Sequence, residues 1–244
     1  MKKIFKMNVL AIAFFGLLLQ SCKDDTQKIE LRDTTEQNKA LPEPSNTATV
    51  NIKNEKLDPN GKTAKDLQNG YKGERTAIAK YKAYSKKAEE EGYHNIALLF
   101  KSVSMAETVH AGNHQTIMEM EGIKVPEVNP EYPLKSTKEN LENAIGGESY
   151  EAKSMYPGFI KDANDEGNYM AQMSFTYAYN VEKKHRDYYK AALADLETDH
   201  LNSLAKAYYI CPVCGNTYAD KAPERCEITL AKADTFTKVD NLND

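Results

Sequence analysis

Two short motifs constrain this chain more than any other feature. In each, a histidine follows a glutamate three residues later, at Glu107 and His110 and again at Glu182 and His185. Three residues advance an α-helix by about 4.5 Å and most of a turn, so both side chains of a pair lie on one face and can bind one metal ion. A single pair of this kind is usually a surface feature, but two copies on two amphipathic segments indicate a shared metal site.

The chain around these motifs has the apolar spacing of long helices. Apolar side chains recur at steps of three and four residues in four successive segments, as in helices that pack in a bundle. The third segment begins at a capping box, Ser136–Glu139, and its seam is Leu141, Ile145, Glu148, Ala152, Met155 and Phe159. The 14 residues from Gly122 to Lys135 are long enough to return along the bundle. The sequence therefore predicts an all-α, ferritin-like four-helix bundle with one long crossover.

Each predicted helix places ionisable side chains among the apolar residues of its buried face. They are Glu74, Glu107, His110, Glu148, Glu151, Glu182 and His185. Five carboxylates that face one another in an apolar core are costly to desolvate and repel each other, so their burial requires a counter-charge. Oxygen-rich ligation with two imidazoles suits a pair of iron or manganese ions better than zinc. This pattern of ligands is typical of ferritin-like di-iron carboxylate proteins.

The residues before the bundle are predicted to be a leader and a tether. Residues 1–21 have a basic start and an apolar run that is too short to span a bilayer. Leu19–Cys22 resembles the lipobox of bacterial lipoproteins, in which Cys22 carries the lipid, and an ordinary signal peptide is the alternative. Lys23–Asp25 resembles the tag that sends some Bacteroidetes lipoproteins to the cell surface. Residues 22–61 are polar and aperiodic, which predicts a flexible tether. The protein is thus expected to be an exported lipoprotein, periplasmic or anchored to the outer membrane, that meets the membrane through its lipid alone.

The local sequence strings, beyond their spacing, resemble those of the rubrerythrin family. The strings are Gly73-Glu74-Arg75, Ala106-Glu107-Thr108-Val109-His110-Ala111, Gly147-Glu148-Ser149-Tyr150-Glu151, Glu182-Lys183-Lys184-His185 and Cys211-Pro212-Val213-Cys214-Gly215. The resemblance covers nearly everything from residue 63 to 240. It implies a di-iron bundle over residues 62–198 and a small rubredoxin-like metal-ribbon domain over residues 207–240.

The resemblance also implies a role for each buried ionisable residue. The iron ligands would be Glu74, Glu107, Glu148, Glu151, Glu182 and His185. His110 matches the family's histidine that exchanges with the carboxylate at Glu151 when the iron changes its oxidation state. Tyr81 and Tyr156 match tyrosines that hydrogen-bond to ligand carboxylates, and packing of their rings is the alternative role.

The activity that the resemblance implies is reduction of hydrogen peroxide to water at a di-ferrous site, in defence against oxidative stress. It further implies an electron donor and a homodimer in which each C-terminal domain serves the other subunit's di-iron site. A ferritin-like protein that oxidises and sequesters iron is the alternative function, and a metal-free scaffold is a third. The net charge of −4 argues against nucleic acid as a partner.

The C-terminal cysteines depart from the family pattern, in which two Cys-x-x-Cys pairs bind one iron. Cys211 and Cys214 form the first pair, but only Cys226 remains of the second because Thr229 stands three residues later. A hydroxyl is a poor ligand compared with a thiolate. The site can be a three-cysteine iron or zinc site completed by Glu227, water or another donor, a zinc-bound structural knuckle, or a site without metal. In an oxidising compartment the first pair can also form a disulfide.

Three further histidines lie outside the two motifs. His114 follows His110 by one helical turn, but the seam does not require it, and His94 and His200 fall near predicted helix ends. All three are predicted to be solvated or helix-capping residues rather than metal ligands.

Overall fold

The computed structural model describes residues 54–198 and 200–243. The predicted signal peptide at residues 1–21, the lipid-bearing Cys22 and the tether as far as residue 53 therefore lie outside the described residues. The described α-helices are α1 (Lys62–Glu90), α2 (His94–Glu121), α3 (Thr137–Tyr150), α4 (Tyr156–Asp165) and α5 (Tyr169–Thr198). None of these helices combines the length and apolarity that a membrane span requires.

A π-helical turn at Glu151–Met155 joins α3 directly to α4, so that the three form one long helix. Its hydrogen bonds span one residue more than those of an α-helix, which moves the buried face by one position. Tyr156 is fully buried after the turn, and Met155, which was predicted to lie in the seam, is partly buried and packs against the bundle core. Together with α1, α2 and α5 this helix forms the predicted ferritin-like four-helix bundle, and the extended segment 123–136 is its long crossover.

The bundle core consists of two apolar layers, and the ionisable residues lie between them along every helix. One layer includes Tyr84, Phe100 and Leu141, and the other includes Leu67 and Met118. Each of these side chains is almost completely removed from water, which stabilises the fold by roughly 1.5–3 kcal/mol per residue. The two layers therefore enclose the polar middle of the bundle on both sides.

Residues 54–61, which composition assigned to the flexible tether, pack against the bundle. Leu57 is 3% exposed, and its backbone N–H donates to the Glu121 carboxylate at 3.1 Å. The Glu166 carboxylate caps α1 by accepting the backbone N–H of Lys62 at 2.9 Å. The ordered part of the chain therefore begins before the predicted end of the tether at residue 61. Composition did not reveal this, because the carboxylates that hold this segment belong to helix ends far away in the sequence.

The predicted capping box at Ser136–Glu139 is confirmed.

After α5 the chain forms a small antiparallel sheet with the strand order β2-β1-β3. The strands are β1 (Tyr208–Ile210), β2 (Thr217–Ala219) and β3 (Thr237–Val239). Tyr208 and Val239 join one of the two apolar layers of the bundle, so the sheet packs on the helices of its own chain. This packing brings the loop between β1 and β2, with two of the cysteines, close to the middle of the bundle.

Candidate metal centre

Six of the seven predicted ligands meet halfway along the bundle, and all six are buried. Their ligand atoms form two groups, and within each group all atoms lie within 4.8 Å of one another. The first group is Glu74, Glu107, His110 and Glu182, and the second is Glu107, Glu148, Glu182 and His185. Because Glu107 and Glu182 belong to both groups, each of these two carboxylates can bridge a pair of metal ions.

The donor atoms of these groups lack other partners. Among the described residues, Glu74 Oε2 and Glu148 Oε2 have no hydrogen-bond partner. The oxygens of Glu107 and Glu182 Oε1 face only the ligand histidines, and His110 Nδ1 lies 2.8 Å from both Glu107 Oε2 and Glu182 Oε1. Leaving one buried polar atom unpaired costs about 1–3 kcal/mol, and more when it is charged, so a buried cluster of carboxylates with two unpaired oxygens requires cations. This chemistry fits two iron ions, which accept carboxylate and imidazole ligands together.

The pKa values of these side chains reflect the crowding of negative charge. Burial raises the pKa of Glu74 and Glu148 well above the usual range, and neighbouring carboxylates raise it further. Burial alone would also raise the pKa of Glu182, but the facing imidazoles of His110 and His185 outweigh it and lower the pKa. Glu182 therefore carries a negative charge more readily than Glu74 or Glu148, which suits a ligand shared by two ions.

The C-terminal domain fixes the orientation of both ligand histidines. His110 Nε2 donates to the backbone carbonyl of Cys214 at 3.0 Å. His185 Nε2 donates to Thr217 Oγ1 at 3.1 Å, because the Thr217 hydroxyl itself donates to the carbonyl of Gly215 at 3.0 Å. When the ring is neutral, this hydrogen bond places the proton on Nε2 and leaves the lone pair of Nδ1 directed toward the ligand groups. Metal-binding histidines are commonly oriented by such a hydrogen bond from the other ring nitrogen.

Gly215 allows this close approach of the C-terminal domain to the bundle. A Cβ atom at this position would lie 2.6 Å from His110 Nε2, and the backbone φ of +76° also favours glycine. The contact is made within one chain, whereas the family resemblance implied that each C-terminal domain serves the other subunit. The structure of the chain thus already brings this domain to its own metal centre.

Glu151, the seventh predicted ligand, lies at the start of the π turn and outside both groups. Burial raises its pKa to about 8, and the charges of Glu182 and Glu107 add to this effect. His110 instead occupies a place in the first group. The exchange between His110 and Glu151 stays a prediction, and in this structure the histidine holds the position.

Both predicted tyrosines contact ligand carboxylates. Tyr81 Oη donates to Glu148 Oε1 at 2.5 Å, and Tyr156 Oη donates to Glu74 Oε1. Tyr81 also packs against the ring of Phe100, with the ring centroids 6.0 Å apart. The two alternative roles of these tyrosines, hydrogen bonding and aromatic packing, are therefore combined.

His114 differs from its prediction, because it is completely buried rather than solvated. Its Nε2 lies 3.1 Å from Tyr156 Oη and its Nδ1 lies 2.8 Å from Ser174 Oγ. The sequence does place His114 one helical turn from His110. Its hydrogen-bond partners, however, come from other helices, and spacing along one helix cannot identify them. His94 and His200 are exposed, as predicted.

The cysteines form a third cluster, in the C-terminal domain. Cys211, Cys214 and Cys226 are buried and free of disulfide bonds, and Cys214 Sγ lies 3.6 Å from Cys226 Sγ. A tetrahedral ion with bonds of about 2.3 Å to sulfur separates its sulfurs by about 3.8 Å, so this spacing suits metal binding. Thr229 Oγ1 lies 3.4 Å from Cys211 Sγ, where a fourth thiolate would lie in a four-cysteine site.

The donor set of this cluster does not match a four-thiolate iron site, because its fourth position holds a hydroxyl. The predicted alternative ligand, Glu227, is engaged elsewhere. Its carboxylate accepts hydrogen bonds from Asn216 Nδ2 at 2.9 Å and Lys184 Nζ at 3.2 Å, and it also binds Tyr218 Oη. The cluster therefore offers three thiolates and one hydroxyl to a metal ion.

Comparison with known proteins agrees with this architecture. The family model described as Rubrerythrin matches residues 65–193. Nigerythrin of Nitratidesulfovibrio vulgaris is 35% identical over 199 residues, which cover 81% of this chain and 96% of that protein. Rubrerythrin-2 of Clostridium acetobutylicum is 35% identical over 179 residues, which cover 72% of this chain and 96% of that protein. A solved structure of nigerythrin in its fully reduced, all-ferrous state is 37% identical, with a TM-score of 0.66 over 73% of this chain and 87% of that chain.

Proposed function

The chain belongs to the rubrerythrin family, and from this premise we propose that it is a non-haem di-iron peroxidase that reduces hydrogen peroxide to water. The observation that carries the proposal is the pair of overlapping ligand groups, which share Glu107 and Glu182 and lie between two apolar layers. The reaction consumes one peroxide, two electrons and two protons, and it yields two water molecules. A pair of ferrous ions bound by these residues would supply both electrons.

The side chains of the chain prepare the site for this reaction. Glu107 and Glu182 would each contribute to both metal positions, and His110 and His185 would each present one ring nitrogen. Tyr81 occupies one oxygen of Glu148 and thereby leaves the other for metal. The apolar layers exclude bulk water, which strengthens the interactions between the charged ligands and the ions.

The experiment that tests the function measures peroxide consumption by anaerobically iron-loaded protein with an added electron donor. A peroxidase consumes many peroxide molecules per iron pair. A ferritin-like protein would instead stop after the first oxidation and accumulate iron beyond two ions per chain, and that result would replace the proposal.

His110→Leu is expected to slow peroxide turnover by on the order of tenfold while about two irons stay bound. The leucine cannot bind iron, but the remaining carboxylates and His185 retain the ions. Steady-state rates and iron content of the purified variant check this. His94→Leu, at an exposed position, is the matched control. An unchanged rate in His110→Leu would show that His110 has no part in the reaction.

We also propose that the protein is exported as a lipoprotein that carries its lipid on Cys22 and is periplasmic, anchored to the outer membrane or displayed at the cell surface. The lipobox-like Leu19–Cys22 supports this. Labelling of cells with a radioactive fatty acid should mark the full-length chain and its Cys226→Ser variant but not Cys22→Ser. Equal labelling of Cys22→Ser would contradict the proposal.

The homodimer that the family suggests is a further proposal, which the mass of the protein in solution tests.

A further inference from the structure

A chain of buried hydrogen bonds runs from α5 through α2 and α4 to the metal ligand on α1. Ser174 Oγ lies 2.8 Å from His114 Nδ1, His114 Nε2 lies 3.1 Å from Tyr156 Oη, and Tyr156 Oη contacts Glu74 Oε1. None of the four side chains is more than 4% exposed. The chain therefore links four helices without contact to bulk water.

The number of available protons fixes the direction of these bonds. A ligand carboxylate only accepts, so the single hydroxyl proton of Tyr156 is donated to Glu74. The oxygen of Tyr156 must then accept from His114 Nε2. Burial and the nearby charge of His110 lower the pKa of His114 to about 3, so its ring is neutral and has one N–H. Nδ1 carries the lone pair and accepts from Ser174, so every proton points toward Glu74.

We propose that His114 is a positioning residue of the metal centre, which holds the Tyr156 hydroxyl on Glu74 Oε1 so that Oε2 is directed to the metal. Glu74 Oε2 has no hydrogen-bond partner among the described residues, as this role requires. The inference rests on the proposed di-iron function and concerns the binding of one of the two ions, because Glu74 belongs to only one ligand group.

The surroundings of His114 support a fixed orientation of the ring. Phe175 packs beside it, with the ring centroids 5.3 Å apart. Gly70 of α1 leaves the space that the ring fills, since a Cβ atom there would lie 3.2 Å from both His114 Nε2 and Cδ2. The ring is thus held on both sides, and it has no polar contact in the described residues other than Ser174 and Tyr156.

The test compares His114→Leu with His114→Gln in full-length, iron-loaded protein. Leucine keeps most of the volume but removes the N–H, whereas glutamine places an amide N–H close to the position of Nε2. Titration with an iron chelator should show one of the two irons bound 10–100-fold more weakly in His114→Leu, with the other unchanged. His114→Gln should restore most of this loss. His94→Leu should match the wild type.

A purely structural role for His114 predicts a different result. Both variants would then lower the melting temperature, and both irons would bind as tightly as in the wild type once the protein is folded. That result would overturn the inference while leaving the peroxidase proposal intact. A different combination is also informative. If one iron binds more weakly in His114→Leu but the wild-type protein does not turn over peroxide, the inference is supported and the proposed activity is refuted. Ser174→Ala, a milder change, should weaken the same iron to a smaller extent.

Discussion

Glu182→Gln is expected to remove both metal ions, whereas Glu74→Gln is expected to remove only one. Glu182 belongs to both ligand groups, while Glu74 belongs to the first alone. A neutral amide keeps the shape of the side chain but loses the charge that balances the cations. Metal analysis after gel filtration should give about two irons per chain for the wild type, near zero for Glu182→Gln and about one for Glu74→Gln. We expect peroxide turnover to fall about 100-fold or more in both variants.

Glu142→Gln is the control, because it makes the same chemical change at an exposed position of α3, away from both ligand groups. It should retain both irons and the wild-type rate. Retention of one firmly bound iron in Glu182→Gln would mean that only one of the two ions requires Glu182. Retention of two irons would contradict the assignment of Glu182 as a ligand.

The same two variants should have opposite effects on the metal-free protein. Burial and Glu107 raise the pKa of Glu74, so the charged form of Glu74 destabilises the folded state, and Glu74→Gln should raise the melting temperature. Glu182 instead balances the charge of His110 and His185, so Glu182→Gln should lower it. Changes of a few kcal/mol in the free energy of unfolding shift the melting temperature by several degrees. Calorimetry on protein from which a chelator has removed the metal resolves such shifts.

The metal centre could be predicted from the sequence because its ligands follow helical spacing. A glutamate and a histidine three residues apart must share a helix face, and an ionisable residue within an apolar seam must face the core. Both facts depend on one helix at a time. They identified Glu107, His110, Glu182 and His185 without knowledge of how the helices pack.

The features that sequence did not reveal depend on contacts between helices or on a change in helical register. His114 is buried because Tyr156 and Ser174 come from other helices, and a spacing rule for α2 contains no information about them. The π turn at Glu151–Met155 shifts the face by one residue, so Tyr156 is fully buried beside Met155, although uniform α-helical spacing places only Met155 on the core side. The contact between Gly215 and His110 likewise depends on the path of the chain after α5.

The second large effect is expected in the C-terminal domain, where Thr229→Cys should create a four-thiolate iron site. The two loops of this domain have matching backbone hydrogen bonds. The N–H of Gly215 donates to the carbonyl of Cys211 at 2.9 Å, and the N–H of Leu230 donates to the carbonyl of Cys226 at 2.9 Å. Thr229 therefore occupies the position in the second loop that Cys214 occupies in the first. A thiol there completes the tetrahedron without any change in the backbone.

Leu230 makes the conformation of this second loop less favourable than that of the first. Its φ of +61° is a left-handed conformation that costs a side-chain-bearing residue roughly 1 kcal/mol, and the equivalent residue of the first loop is Gly215 with a φ of +76°. We therefore expect the double variant Thr229→Cys, Leu230→Gly to bind the new iron more tightly than Thr229→Cys alone. The matched control is Thr229→Ser, Leu230→Gly, which has the same backbone freedom but no fourth thiolate.

Iron content and the visible spectrum distinguish the outcomes. The wild type and the serine control should hold about two irons and lack strong thiolate-to-iron absorption, and the cysteine variants should hold about three and show it. Strong absorption in the wild type would mean that another ligand completes the site without a fourth cysteine. If the expected result is obtained, the natural chain lacks the four-thiolate iron that would reduce its own di-iron centre, so the electrons for peroxide reduction must reach the bundle from a separate donor. The contact of Cys214 with His110 then serves to orient the ligand histidine.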